Sequence, residues 1–543
     1  MATTLFKNGS IVDGSGKDAF DGSVLIEGDS IRDVIQKGEN LPEADTVIDA
    51  SGLVVAPGFI DMHSHADWVL PARENPDVLK CLVEQGVTSI VGGNCGFSPA
   101  PILPKVIAMI KDFITLLVDK PFEYKWDSMA GFFDHVDETG PVLNMAELAG
   151  HAAIRFVASD TKRGKMPQPE LDKCLDLARQ SLDEGACGLS FGLGYDPGMY
   201  SPLEELAAFC AVAAQAGKPV AVHLKALSWI SPCYPVSTLK AHNVLALEQM
   251  LDLAARTGVR LQISHFIFVG RRTWPTAGKC IRLVEEARRS GVDVMVDAFP
   301  FTCGNTTINV AIPYWFLKKI PEAYHSALLK TRLKMELELG FRLVGFNFND
   351  FQIMDVGVDG WEDLNGRRIT EIAKGWKVSP FTAFLKIAEA SKGAALMLYH
   401  TYSGEPGNEK ALEKVLSKDY CLFETDAIAK TTGFPNPAAM GTFPRILGKY
   451  VRDKKMLRLE DAIKRMTSAS AERFGLTATG SLEPGKAADM VLFDPATISD
   501  STPEGSQPAG RPTGIGHVFI NGAQVVKDGA YIDGVRAGRA LRC

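Results

Sequence analysis

The segment Pro57-Gly58-Phe59-Ile60-Asp61-Met62-His63-Ser64-His65 decides the reading of this chain. A short apolar run ends in two histidines separated by one residue. Alternate side chains of an extended backbone leave the same side, so both imidazoles project together. Imidazoles converging in this way suit a borderline divalent metal such as zinc. Taken alone, the pair fits a packed core equally well, and the rest of the sequence has to decide.

Seven further apolar runs follow Leu53–Ile60: Thr88–Val91, Val142–Ala149, Ala186–Phe191, Pro219–His223, Arg260–His265, Val292–Phe299 and Tyr420–Asp426. Amphipathic stretches of helical period separate them, among them Glu170–Glu184, Glu204–Ala216, Val244–Thr257 and Cys280–Ser290. Eight runs alternating with helices predict an α/β fold, a TIM-like (β/α)₈ barrel with its active site at the C-terminal strand ends. Polar residues stand at those ends. Asn94-Cys95-Gly96 follows the second run, His223 and His265 close two others, and Asp426 closes the last. Four of the ten histidines fall at such ends, which favours a metal site over scattered core histidines.

The two ends of the chain read differently. Residues 1–56 are short strands punctuated by Asn8-Gly9, Asp13-Gly14 and Gly28-Asp29. Near the other end, Asn521-Gly522 reads as a hairpin turn between His517–Ile520 and Ala523–Lys527. The expected organisation is a small β-sandwich domain from 1–56 plus 481–543, and a barrel over 57–480. Residues 309–403, with an extra apolar run at Ala394–Tyr399, are too long for a plain connection and read as an insertion placed to form a lid. The apolar-rich Lys105–Lys120 reads as a lid helix or a subunit contact, and Ser501–Pro512 as an exposed loop.

Composition narrows the function classes. The chain has 543 residues, 46% hydrophobic and 23% charged, with 58 Lys+Arg against 65 Asp+Glu and a net charge of -7. This is an ordinary globular balance and excludes a disordered, collagen-like or disulfide-stapled chain. No basic stripe or phosphate-binding glycine loop is visible, so no nucleic-acid partner is expected. The ten cysteines lack paired spacing, and no apolar run reaches the roughly 18 residues of a membrane helix. The expectation is a cytoplasmic protein with reduced thiols and no membrane contact.

Taken in order, these motifs resemble the amidohydrolase superfamily, most closely its N-acyl-D-amino-acid deacylase (D-aminoacylase) branch. The resemblance spans nearly the whole chain. It rests on Pro57–His65, Gly93-Asn94-Cys95-Gly96-Phe97-Ser98, Gly150-His151, Gly188–Tyr195, Ser264-His265, Gly441-Thr442-Phe443-Pro444-Arg445 and Pro484–Asp489. It implies a zinc-dependent barrel with one or two ions and a small-molecule substrate. By position, Cys95, His223 and His265 resemble the ligands of the tightly held metal, and His63, His65 and Asp426 those of a weaker second position. Cys95 takes the bridging place that a carbamylated lysine fills elsewhere in the superfamily. Asp426 resembles the general base, which takes a proton from the zinc-activated water and returns it to the leaving amine. His151 corresponds to a supporting position behind the metal ligands.

The sequence departs from that family where the deacylases grip the substrate carboxylate. Ile267 stands in place of a lysine, and Ala438 in place of an arginine. Phe299 and Phe301 replace two tyrosines, and Asn305 a serine, so of the clamp only Tyr195 is retained. Arg271, Arg272 and Lys225 remain as cations that could take over. The expected activity is therefore hydrolysis of a non-peptide amide C–N bond in a more hydrophobic or neutral amide or cyclic amide. An ester, lactone or C–C carbonyl bond on the same metal site is the alternative. A non-catalytic scaffold is disfavoured by six intact ligand positions, and a homo-oligomer is left open.

Overall fold

The computed structural model describes residues 1–72, 76–103, 106–107, 123–161, 163–235, 237–428, 430, 432–500 and 510–543. Eight parallel strands form a nearly closed barrel: β1 Phe59–Asp61, β2 Val87–Gly92, β3 Asn144–Gly150, β4 Gly188–Gly192, β5 Pro219–His223, β6 Arg260–Ile263, β7 Val294–Ala298 and β8 Cys421–Phe423. Each pairs in parallel with its neighbour in sequence, and the seam between β8 and β1 is spanned by a parallel bridge from Ser64 to Ala427. At that seam the Asp426 N–H donates to His63 O and the His65 N–H to Ala427 O, both at 3.0 Å. Closing the barrel thus sets Asp426 beside the two histidines that opened the sequence argument.

The first apolar run serves two sheets instead of one. Val54–Pro57 belongs to a nine-stranded sheet, and the barrel starts only at Phe59. The chain turns at Gly58, whose N–H donates to Asp489 O at 2.8 Å, and a Cβ there would collide with the Thr88 side chain. Periodicity carries no mark of this turn, because both halves are buried on all sides.

Both ends of the chain build the nine-stranded sheet as one hydrogen-bonded path, joined where Val54–Pro57 pairs antiparallel with Met490–Phe493. Asn8-Gly9 is not a turn in it. Thr3–Ile11 runs through as one strand with a register shift between Phe6 and Gly9, and Asn8 has φ 64°, which is a bulge. Asn521-Gly522 is a two-residue hairpin turn, with φ of 47° and 79°. The tail leaves the sheet: Ala540 pairs in parallel with Met145, and the Leu541 N–H donates to Met145 O at 2.7 Å. The end of the chain therefore lies on the barrel.

Between β7 and β8 the chain builds a separate unit. Cys303–Thr307, Phe351–Asp355 and Leu396–His400 form a three-stranded antiparallel sheet, backed by a core that includes Phe316, Leu333, Leu337, Phe384 and Met397. Two seams fasten it to the barrel. On one, Val269 bridges Tyr402, the Ser403 N–H donates to Phe268 O at 2.9 Å, and Arg271 pairs with Asp350 and Glu405. On the other, the loop after Asp426 holds the unit through Lys430–Asp355 at 3.1 Å and the Phe434 N–H on Met354 O at 2.6 Å. Arg271 is thus a clasp between two units, where the sequence suggested a cation at the mouth.

Most of Lys105–Lys120 and of Ser501–Pro512 lies outside the described residues. Among the described residues no helix is long and apolar enough to cross a membrane.

The junction is testable. Gly58→Ala should lower the thermal and urea midpoints by the equivalent of about 1–3 kcal/mol, the usual range for overpacking. Gly375→Ala, in a helix with open space around the added methyl, should leave them unchanged or slightly raised.

Candidate metal centre

The C-terminal strand ends bring the six expected residues to one place. Cys95 Sγ lies 3.5 Å from His63 Nε2, 3.8 Å from His223 Nδ1 and 3.6 Å from His265 Nε2. The donor atoms of His63, His65 and Cys95 lie within 4.8 Å of one another, and so do those of Cys95, His223 and His265. The two groups share the thiol. Asp426 Oδ1 stands 3.6 Å from His63 Nε2 and 3.4 Å from His65 Nε2. Its side chain is 23% exposed against 1% for His63, so Asp426, like the half-buried His223, lies toward the mouth.

The backbone is bent to achieve this. Cys95, His265 and Asp426 all have positive φ, at 57°, 32° and 45°. Outside glycine, such conformations cost on the order of 1–3 kcal/mol each and persist only where their surroundings enforce them. Around Cys95 the enforcement is visible. The Tyr195 hydroxyl donates to Cys95 O at 2.7 Å, the Gly96 N–H donates to Ser190 Oγ at 3.0 Å, and the Ser190 hydroxyl donates to Gly93 O. A side chain at Gly93 or Gly96 would run into the backbone of β3 or β4. The loop is pressed against the barrel wall with its sulfur turned inward.

Charge follows from burial and proximity. Burial alone would raise the Cys95 pKa, but the His63 charge and hydrogen bonds from His223, His265 and His63 hold it well below the usual thiol range. Burial likewise disfavours charged imidazoles, yet Cys95 and Asp297 raise His63 well above its ordinary value, and Asp426 and Cys95 raise His65 to about 10. His223 is pushed down by burial and by His265. Asp426 resists burial through His65, His63 and His265 and sits at about 2, so it is ionised throughout the neutral range. The result is a buried thiolate and a carboxylate among four imidazoles.

Beneath the six lies a layer of acids that the sequence reading missed. Asp297, on β7, accepts the His265 N–H at 2.6 Å and the Gln262 amide at 2.7 Å, and its Oδ1 faces His63 Nδ1 at 3.6 Å. A carboxylate behind one imidazole nitrogen leaves the other free to ligate. Asp61 accepts the Thr425 N–H at 2.9 Å and its hydroxyl at 2.6 Å, which ties β1 to the segment carrying Asp426. The available signal was a lone acid inside an apolar run (Asp61, Asp297 and Glu424), since a buried charge needs a partner.

The remaining expected residues do not stay together. Ile267, Phe299, Phe301 and Ala438 form one buried apolar cluster, with Leu227, Val269 and Tyr402 packed on it. Asn305 Oδ1 accepts from Asn436 Nδ2 at 2.5 Å, which joins the insertion to the loop after Asp426. The Tyr195 hydroxyl donates its hydrogen bond to Cys95 O and so steadies the thiol loop. His151 pairs with Glu205 at 2.8 Å between Phe191 and Phe209, and it has no hydrogen bond to the six residues. Lys225 lies 5.6 Å from the centre of the Tyr234 ring.

With this geometry in hand, the chain can be placed: it belongs to the amidohydrolase family, whose sequence model matches residues 46–262 and 418–529. The unmatched interval contains the three-stranded unit. The chain is 29% identical over 537 residues to a D-aminoacylase of Alcaligenes xylosoxydans xylosoxydans, covering 99% of this chain and 97% of that one. It is also 29% identical over 545 residues to an N-acyl-D-glutamate deacylase of the same organism, covering 99% and 96%. Among solved structures it resembles an N-acyl-D-glutamate deacylase from Bordetella bronchiseptica, complexed with zinc and a phosphonate mimic of the tetrahedral intermediate. That match has 27% identity, a TM-score of 0.80 and 99% coverage of both chains. A D-aminoacylase crystal structure matches with a TM-score of 0.78, at the same identity and coverage. The protein is a D-aminoacylase-like amidohydrolase, a hydrolase acting on C–N bonds.

Each three-residue group offers two imidazole nitrogens and a thiolate, a donor set suited to zinc. If Asp297 orients His63, Asp297→Asn should keep the fold and weaken zinc retention about 10–100-fold. Competition with a graded chelator, beside circular dichroism, measures both. Unchanged zinc affinity would contradict this role.

Proposed function

We propose that the chain is a zinc-dependent hydrolase of a neutral or apolar amide or cyclic amide, related to the D-aminoacylases but without their grip on a free carboxylate. One observation carries the reading. Two three-donor groups share the Cys95 thiol, the ionised Asp426 stands at their open side, and an uncharged apolar cluster occupies the positions where the family's cations are expected.

In this reading Cys95, His223 and His265 hold the principal ion, and His63, His65 and Asp426 a second, weaker position. Bound zinc supplies Lewis acidity, polarising the substrate carbonyl and making a water nucleophilic near neutral pH. The chain's own residues do the rest. Asp426 Oδ1 takes the proton released by the attacking water and delivers it to the departing nitrogen. His65, 3.4 Å from that oxygen, fixes the carboxylate's orientation. Phe299, Phe301 and Ile267 supply an apolar wall against which the uncharged part of the substrate lies.

Energetics favour the neutral substrate. Desolvating a carboxylate there without a cation costs on the order of several kcal/mol. Arg271 is engaged by Asp350 and Glu405, so it does not relieve that cost.

Turnover of a matched pair tests this: an N-acetyl-D-amino acid and its neutral C-terminal amide, with zinc-loaded enzyme and Asp426→Asn as the blank. The neutral compound should have a kcat/KM at least tenfold higher. Ile267→Lys combined with Ala438→Arg should reverse that order. A preference of the unmodified enzyme for the free acid would contradict the proposal.

A further inference from the structure

Arg445 closes the helix Pro437–Arg445 and is buried, at 5% exposure. Its guanidinium is engaged along its edges and on one face. Nε–H donates to Pro300 O at 2.9 Å, Nη1–H donates to Asp500 Oδ2 at 2.9 Å, and Nη2 faces Glu409 Oε1 at 3.7 Å. The guanidinium carbon lies 4.5 Å from the centre of the Phe301 ring. A buried cation needs carboxylate partners, which Asp500 and Glu409 supply. The other two contacts go beyond charge balance. Both fall on Phe299-Pro300-Phe301, directly after β7, and Phe299 and Phe301 belong to the apolar cluster with Ile267 and Ala438. Ala438 stands on the same helix as Arg445, about two turns nearer its start.

We propose that Arg445 is the positioning residue of that cluster: it locks the Pro300 carbonyl and the Phe301 ring to the helix that carries Ala438, and so sets how bulky an uncharged group the site accepts. This rests on the reading of the cluster as the substrate's apolar wall. A planar cation against one face of the ring, with a hydrogen bond to the preceding carbonyl, leaves the loop one position relative to the helix. Apolar pockets distinguish groups by size through contacts that a displaced wall loses. Lysine is no substitute, because one ammonium offers neither the flat face nor the fixed fork of donors. An ammonium at this position still pairs with Asp500 and Glu409 while releasing the ring, which separates positioning from charge balance.

The test is steady-state kinetics of the zinc-loaded, full-length protein on two neutral amides that differ in bulk, N-acetyl-D-alaninamide and N-acetyl-D-phenylalaninamide. The unmodified enzyme should favour the larger one through a lower KM. Arg445→Lys should keep its fold by circular dichroism and its zinc by metal analysis. It should raise KM for the larger amide about tenfold, the worth of one desolvated cation–π contact, and leave kcat and the smaller amide unchanged. Phe301→Leu should give the same loss, and both changes together no more than either alone, because they break one contact. If the unmodified enzyme shows no preference for the larger amide, the reading of the wall fails and this proposal with it. If that preference is present but survives Arg445→Lys, or if kcat falls equally for both amides, the wall stands and the positioning role is overturned. An Arg445→Lys protein that does not fold, or a Phe301→Leu protein with unchanged KM, would overturn it as well.

Discussion

A single buried thiol organises the top of this barrel. Cys95 sits in a left-handed turn after β2, with three imidazole nitrogens within 3.8 Å of its sulfur. A thiolate without such neighbours would be costly to bury. Here the His63 charge and hydrogen bonds from His223 and His265 offset that cost, and the sulfur in turn raises His63, so the groups depend on one another. That dependence explains three positive φ angles in a site of six residues. Strain of this kind survives only where the arrangement as a whole outweighs it.

The surrounding structure serves that arrangement. Tyr195 and Ser190 hold the Cys95 loop, Asp297 stands behind His63 and His265, and Asp61 pins the segment that carries Asp426. The inserted unit enters the same network. Its Asp355, Met354 and Asn305 hold the loop after Asp426, while Asp350 and Glu405 grip Arg271 on the loop after β6. The unit is thus a fastened wall of the mouth, and it frames the end that carries the candidate metal centre.

Much of this was legible in the sequence, for physical reasons. The eight barrel strands announce themselves as buried runs, and the candidate ligands as polar residues placed where such runs end. Asn521-Gly522 announces a hairpin because few other pairs tolerate its backbone. What escaped lies where one signal has two readings. Asn8-Gly9 looks like a turn and is a bulge, and Leu53–Ile60 looks like one strand and is two. Asp297 was hidden because an acid within a strand declares nothing until its neighbours are known. Arg271 looks like a spare cation at the mouth because its partners, Asp350 and Glu405, lie far along the chain. Tyr195 matched a family position, yet its hydroxyl donates to the backbone at Cys95 O.

The central claim is that zinc-type metal binds through the Cys95 thiolate. Loading the metal-free protein with cobalt(II) and recording the absorption spectrum tests it most directly, because a thiolate bound to cobalt gives an intense ligand-to-metal charge-transfer band. The account predicts that band in the unmodified protein and its loss in Cys95→Ser, with the barrel still folded. Cobalt bound at full occupancy with no such band, or a band that persists in Cys95→Ser, would contradict it.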